Sequence, residues 1–206
     1  MQRIIIHLYK VFKTLRVYVN KPIDYLLTHV IFYLNGVSYS SFNNYGIPRI
    51  NVSLGGKFTL GSNFRSNNRE MANPIGRFHR CSFIVGRTAT LKIGNNVGIS
   101  STAIVCHNSI EIGDNVIIGG NVVIYDTDFH SLNSKDRLET KSGKIRANCK
   151  PVKIGNSVFI GAHSTILKGV NIGDNSIIGA CSVITKSIPA NEIWAGNPAK
   201  YLRNNE

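Results

Sequence analysis

A six-residue period runs without a slip from Ile154 to Ile184 and limits what this chain can fold into more than any other feature. Ile154, Ile160, Ile166, Ile172, Ile178 and Ile184 share one phase. The residue after each is Gly155, Gly161, Leu167, Gly173, Gly179 or Thr185. The fifth position of each hexad is Val158, Ser164, Val170, Ser176, Ser182 or Ile188, always small or aliphatic. The same phase is read upstream at Ile93-Gly94, Ile99, Val105, Ile112-Gly113, Ile118-Gly119 and Ile124, with one extra residue between Val105 and Ile112. It is read earlier still at Leu54-Gly55, Leu60-Gly61 and Val85-Gly86. Ten of the 19 glycines follow a phase residue, so the repeat places them.

This period fits neither an amphipathic helix, which wants apolar residues at i, i+3, i+4 and i+7, nor a plain alternating strand. Very short β segments joined by turns do fit. The aliphatic residue points inward, the small fifth residue shares the interior, and glycine sits at the corner where other residues are strained. One such repeat cannot bury its face alone, so successive turns must stack at the ~4.8 Å strand spacing. A sandwich of short strands is the competing fold, but its turn signals fall at less regular intervals of about 8–12 residues.

The repeated Ile-Gly-x-x-Val/Ser-x pattern over about residues 50–203, with Ala195-Gly196-Asn197-Pro198-Ala199-Lys200 after the last hexads, resembles the hexapeptide-repeat O-acetyltransferases, above all those acting on sugars and capsular polysaccharides. The resemblance implies a mainly all-β chain folded as a left-handed parallel β-helix of triangular section, three hexads to a coil. It divides the chain into an N-terminal helical segment (1–45), the β-helix (46–189) with a catalytic loop at 125–153, and a C-terminal tail (190–206). It also implies a homotrimer with acetyl-CoA bound in a groove between subunits.

Two N-terminal helices are expected. Ile4, Ile5, Leu8, Val11, Phe12 and Leu15 share a face opposite Arg3, Lys10, Lys13 and Thr14. Pro22 then opens a second helix striped by Ile23, Leu26, Leu27, Val30, Ile31 and Leu34. Such stripes commonly pack on their own protein or a neighbouring subunit; peripheral contact with the inner membrane is the other use.

Between Ile124 and Ile154 the hexads stop. The excursion opens Tyr125-Asp126-Thr127-Asp128-Phe129-His130-Ser131-Leu132, and a long loop thrown out of a solenoid is usually functional or disordered. His130 can take and return a proton near neutral pH, and a carboxylate on one ring nitrogen would fix its tautomer. The resemblance makes His130 the general base, with Asp128 or Asp126 orienting it; the sequence does not choose between them. Arg137 and His107 are candidate acceptor contacts. For the cofactor, the resemblance points to Ala162 and Ala180 beside the pantetheine arm. Thr185, Lys186, Lys200 and Arg203 would lie near the CoA phosphates. Cys106 and Cys181 lack an evident activating histidine, so an acyl-enzyme is not expected.

The implied reaction is direct transfer of acetyl from acetyl-CoA to a hydroxyl of a sugar or polysaccharide precursor. Antibiotic or amino-sugar-nucleotide acetylation and a non-catalytic β-helix scaffold are the alternatives. No metal is expected, because no two of the six histidines are closer than 22 residues. The formal charge of +13 concentrates in residues 1–30 and 131–153. The second stretch has no aromatic residue to stack on bases, so nucleic acid is not an expected partner. The four scattered cysteines and the lack of a signal-peptide pattern suggest a cytoplasmic protein, membrane-associated if the helices lie on lipid.

Overall fold

The computed structural model describes residues 1–69, 75, 79–139 and 147–206. Helix α1 (Gln2–Leu34) leads into six coils of three short parallel strands each. The first sheet holds β1 (Ser38–Tyr39), β4 (Lys57–Leu60), β7 (Thr90–Ile93), β10 (Ser109–Ile112), β13 (Val152–Ile154) and β16 (Asn171–Ile172). The second holds β2 (Phe42–Tyr45), β5 (Phe64–Asn67), β8 (Gly98–Ser100), β11 (Ile117–Ile118), β14 (Phe159–Ile160) and β17 (Ile177–Ile178). The third holds β3 (Arg49–Val52), β6 (Ser82–Val85), β9 (Ala103–Cys106), β12 (Val123–Tyr125), β15 (Thr165–Ile166) and β18 (Val183–Ile184). β19 (Glu192–Gly196) continues the second sheet and β20 (Ala199–Asn204) turns back antiparallel on it. The solenoid of short strands expected from the hexads is the fold.

Stacking puts phase residues in columns. Leu60, Ile93, Ile112, Ile154 and Ile172 are cross-strand partners in turn. So are Ile99, Ile118, Ile160 and Ile178, and likewise Ile104, Ile124, Ile166 and Ile184. All are buried, as are all six fifth-position residues from Val158 to Ile188. Each aliphatic side chain so removed from water contributes roughly 1.5–3 kcal/mol. The buried serines carry a polar cost that is met locally. Ser164 and Ser182 donate to the Gly179 carbonyl at 3.0 and 2.7 Å, and Ser176 donates to that of Pro189 at 2.7 Å.

Two phase assignments are corrected. Ile104 and Cys106, not Val105, face inward in β9, because the corner before β9 is one residue shorter than the regular hexad and reverses which face each side chain takes. Leu54 is 88% exposed in a turn, so Leu54-Gly55 is not a repeat unit.

The corners are fixed by asparagine, aspartate and glycine together. Asn63, Asn96, Asn115, Ser157, Asn175 and Asn191 occupy one column with φ between 54° and 61°, a region asparagine tolerates better than most residues. Asn63 donates to Asn96, Asn96 to Asn115 and Asn175 to Asn191 through their side-chain amides at 3.0–3.1 Å. In the adjoining column each side chain accepts the backbone N–H of the coil before it: Asn95 from Ser62, Asp114 from Asn95, Asn156 from Asp114, and Asp174 from Asn156. Glycine is required just beneath, since a Cβ on Gly155 would lie 2.2 Å from Asp174 Oδ1.

The ends of the stack are covered differently. At the start, Phe32 of α1 is buried against Tyr39 and Phe42. Asp24 is buried, bidentate to Arg69 (2.8 Å at its shortest), and accepts the Gly46 N–H at 2.8 Å. At the far end, β19 and β20 lay Trp194 on the core. Two helices were expected; one forms, with Pro22 inside it. The apolar stripe keeps its phase across Pro22. The single hydrogen bond that proline forfeits leaves the Tyr18 carbonyl where water can reach it, because Tyr18 is exposed.

Gly155→Ala should destabilise the fold by about 1–3 kcal/mol. Gly98→Ala, whose Cβ would meet nothing within 4 Å, should shift stability by less than ~0.5 kcal/mol. Urea unfolding of the two variants checks the contrast.

Candidate active site

The stack is interrupted between β12 and β13, where the chain leaves the corner between the third and first sheets. Residues 140–146 of the predicted catalytic loop lie outside the described residues. The base of the excursion is a short antiparallel stem. Thr127 bridges Cys149, the Asp128 N–H donates to the Asn148 carbonyl at 3.1 Å, and the Lys150 N–H donates to that of Asp126 at 2.9 Å. Beyond it a single-turn helix, α2 (Ser134–Glu139), folds back.

The two aspartates diverge. Asp126 is fully buried and accepts the backbone N–H groups of His107 and Asn108, each at 2.7 Å. It therefore holds the turn after β9 rather than the His130 ring. Asp128 pairs with Lys168 at 3.0 Å, both side chains being mostly buried, and its other carboxylate oxygen is buried without a partner among the described residues. Lys168 is the functional neighbour that sequence reading missed. The available signal was that it is the only cation between Ile154 and Thr185.

Phe129 stands at the bend, with φ of 61°. A left-handed aromatic residue is strained, and the strain is held by its N–H donating to Thr127 Oγ1 at 3.0 Å and by ring contacts. Those rings are Tyr125 at 5.3 Å and His107 at 6.1 Å between centroids. His130 follows, exposed, its backbone N–H donating to the Asp128 carbonyl and its ring free of hydrogen bonds among the described residues. The His107 ring thus sits against Phe129, the residue before His130. Arg137 donates to the carbonyls of Ser131 and Leu132, each at 2.8 Å, and so braces the loop just after His130.

Of the expected cofactor residues, Ala162 and Ala180 lie along the corner between the second and third sheets, whereas Thr185 and Lys186 follow β18 and lie at the corner between the third and first sheets. A Cβ on Gly119, Gly161 or Gly179 would fall 2.5–2.7 Å from Ala162, Ala180 or Ala195 of the next coil. Glycine below and alanine above leave a shallow strip of bare backbone. The Ala162 and Ala180 N–H groups carry no backbone hydrogen bond among the described residues. Ala195 extends the column beyond the sequence reading, and its cross-strand partner is Lys200. Thr185, Lys186 and Arg203 are exposed near that end of the stack. His163 hydrogen-bonds Asn121 at 3.0 Å, and Asn121 bonds His79 at 2.7 Å, so this histidine is held in a chain across coils.

Neither buried thiol is a nucleophile. Burial pushes Cys81 up to about 12. Burial, reinforced by the Asp126 carboxylate, does the same to Cys106.

Similarity to hexapeptide-repeat transferases is carried by two segments: residues 151–186 match the model of the bacterial transferase hexapeptide (six repeats). Residues 90–126 match the hexapeptide repeat of succinyl-transferase. The galactoside O-acetyltransferase of Escherichia coli is 40% identical over 116 residues, 56% of this chain and 54% of that protein. The chain thus spans about half the length of that curated relative. A crystal structure of a hexapeptide-repeat acetyltransferase from Vibrio cholerae, complexed with acetyl coenzyme A, is 29% identical with a TM-score of 0.51. The match covers 61% of this chain and 64% of that one. The AntD N-acyltransferase of Bacillus cereus superposes with a TM-score of 0.66 over 86% of this chain and 89% of its own, at 19% identity, a likeness of fold. The left-handed β-helix implied by the resemblance is therefore the architecture.

Asp126→Asn should cost about 1–3 kcal/mol, because an amide cannot accept both buried N–H groups; urea unfolding measures it. At about pH 8.5, where an ordinary thiol is half ionised, iodoacetamide should alkylate exposed Cys181 and leave Cys81 and Cys106 protonated and intact until denaturant is added. Mass mapping of the peptides reads this out.

Proposed function

We propose that this chain transfers acetyl from acetyl-CoA to a hydroxyl of a sugar or polysaccharide precursor, with His130 as general base. The observation that carries the reading is the break in the stack between β12 and β13. It projects a loop pinned at its stem, with an exposed histidine two residues from a carboxylate that has an unfilled acceptor oxygen. Asp128 Oδ2 is available to an imidazole N–H, while Lys168 holds the other oxygen in place. In the reaction His130 takes the proton of the acceptor hydroxyl and the oxygen attacks the thioester carbonyl carbon. The C–S bond then breaks, and the imidazolium returns the proton to the departing CoA thiolate. A free backbone N–H stabilises the oxyanion. Holding both substrates together supplies the proximity that makes an acyl-enzyme unnecessary, in keeping with the inert buried thiols.

Acetyl-CoA suits the alanine strip. Its pantetheine amides can bond the open backbone at Ala162 and Ala180, and Lys200 and Arg203 on β20 lie near its end for the phosphates. The complex of the Vibrio cholerae relative supports this co-substrate, and the galactoside relative supports a sugar acceptor. Arg137 shapes the acceptor side by bracing the loop, with His107 beside it. A trimer would supply the second wall of the groove. The outer face of the second sheet offers an apolar column for it, in which Ile117 and Phe159 are cross-strand partners and both exposed.

His130→Ala should lower kcat by about 10²–10⁴-fold with the melting temperature unchanged, followed as CoA-thiol release with a panel of sugars, amino sugars and nucleotide sugars. Lys168→Met should lower kcat less and displace the acidic limb of the pH–rate profile; unimpaired turnover in His130→Ala would remove His130 from the mechanism. Light scattering should give three times the 22.7 kDa chain mass, and Phe159→Glu should reduce it to one chain.

A further inference from the structure

The N-terminal helix docks on the body by its last third only. Asp24, Thr28 and Phe32 are buried there. From Gln2 to Ile23 no described side chain is buried, and only Asn20 is even half-covered. At 3.6 residues per turn, Ile4, Ile5, Leu8, Val11, Phe12, Leu15, Val19, Ile23, Leu26 and Val30 fall within an arc of about 120°. That arc faces away from the side holding Asp24, Thr28 and Phe32. The stripe is open to solvent for the length of the helix, with Ile4 and Phe12 each 65% exposed. A helix without tertiary packing has little stability of its own, so this face needs a cover.

Its chemistry selects among covers. Arg3, Lys10, Lys13 and Lys21 are exposed and fall in the opposite arc, and no acidic residue occurs before Asp24. Tyr9 and Tyr18, both exposed, lie at the two borders of the stripe, where a ring that is apolar with a polar tip suits a boundary between oil and water. The stripe is wider than the narrow seam with which two helices grip each other. No helix is apolar enough among the described residues to cross a membrane. We propose that α1 lies in the plane of an anionic lipid surface, its apolar stripe in the acyl boundary and its cations at the headgroups, tethering the β-helix there. This reading is independent of the transfer chemistry.

The test is sedimentation of the full chain with vesicles. It should co-sediment with phosphatidylcholine vesicles containing phosphatidylglycerol and bind pure phosphatidylcholine far more weakly. Raised salt should weaken the anionic binding. Lys10→Gln with Lys13→Gln should lower partitioning roughly 25-fold, and Leu8→Glu with Phe12→Glu should abolish it. Melting temperatures and CoA-thiol release in detergent-free buffer should not change, since these side chains touch nothing in the body. Absence of binding to anionic vesicles by the unmodified chain would overturn the proposal. So would a fall in oligomer mass in the Leu8→Glu, Phe12→Glu variant, which would assign the stripe to a second copy instead.

Discussion

Everything in this molecule follows from backbone hydrogen bonding between coils stacked at a single strand spacing. A parallel stack leaves no freedom in what lies above what: an isoleucine meets an isoleucine and a corner meets a corner. That is why Asp174 can accept the Asn156 N–H only if Gly155 has no Cβ. It is also why Ala162, Ala180 and Ala195 rise in a line over Gly119, Gly161 and Gly179. The strip of bare backbone proposed for the pantetheine arm is thus a by-product of stacking, at no added structural cost. Enclosing such a stack needs different devices at its two ends, a docked helix at one and a hairpin carrying Trp194 at the other.

The same rigidity determines where chemistry can be placed. Side chains on a coil face are regular and mostly committed, so the base proposed at His130 stands off the stack. The excursion after β12 provides this, yet its root is among the most firmly held parts of the chain. Asp126 is sunk onto two backbone N–H groups, Thr127 bridges Cys149, and Asp128 is tied to Lys168 on the following coil. Precision at the stem and exposure at the tip are combined within five residues.

Much of this was legible in the sequence because a six-residue period is visible in one dimension. The inward columns from Ile154 onward and the glycine corners could be read directly. The misreading in β9 has a simple physical cause, which is that spacing does not reveal a corner of altered length. One short corner before β9 moved the inward face from Val105 to Ile104 and Cys106. The site was legible in its residue types but not in its pairings. Asp126 and Asp128 look equivalent beside His130, whereas their partners, the 107–108 backbone and Lys168, come from coils 18 to 40 residues away in sequence. The helix pattern was read correctly in phase, but whether its stripe is covered depends on where the docking residues fall, and that is set by Asp24 meeting Arg69 across the first two coils.

The stem has one more consequence. Since residues 126–128 and 148–150 close on each other, the coil above and the coil below meet as if nothing lay between them: Ile112 still pairs with Ile154 and Ile124 with Ile166. The excursion is in effect a detachable cassette. A change in the length or charge of its tip leaves the pairing of the coils untouched, so the acceptor preference proposed for the loop is separable from the alanine strip proposed for the acyl donor, which is built into the stack itself.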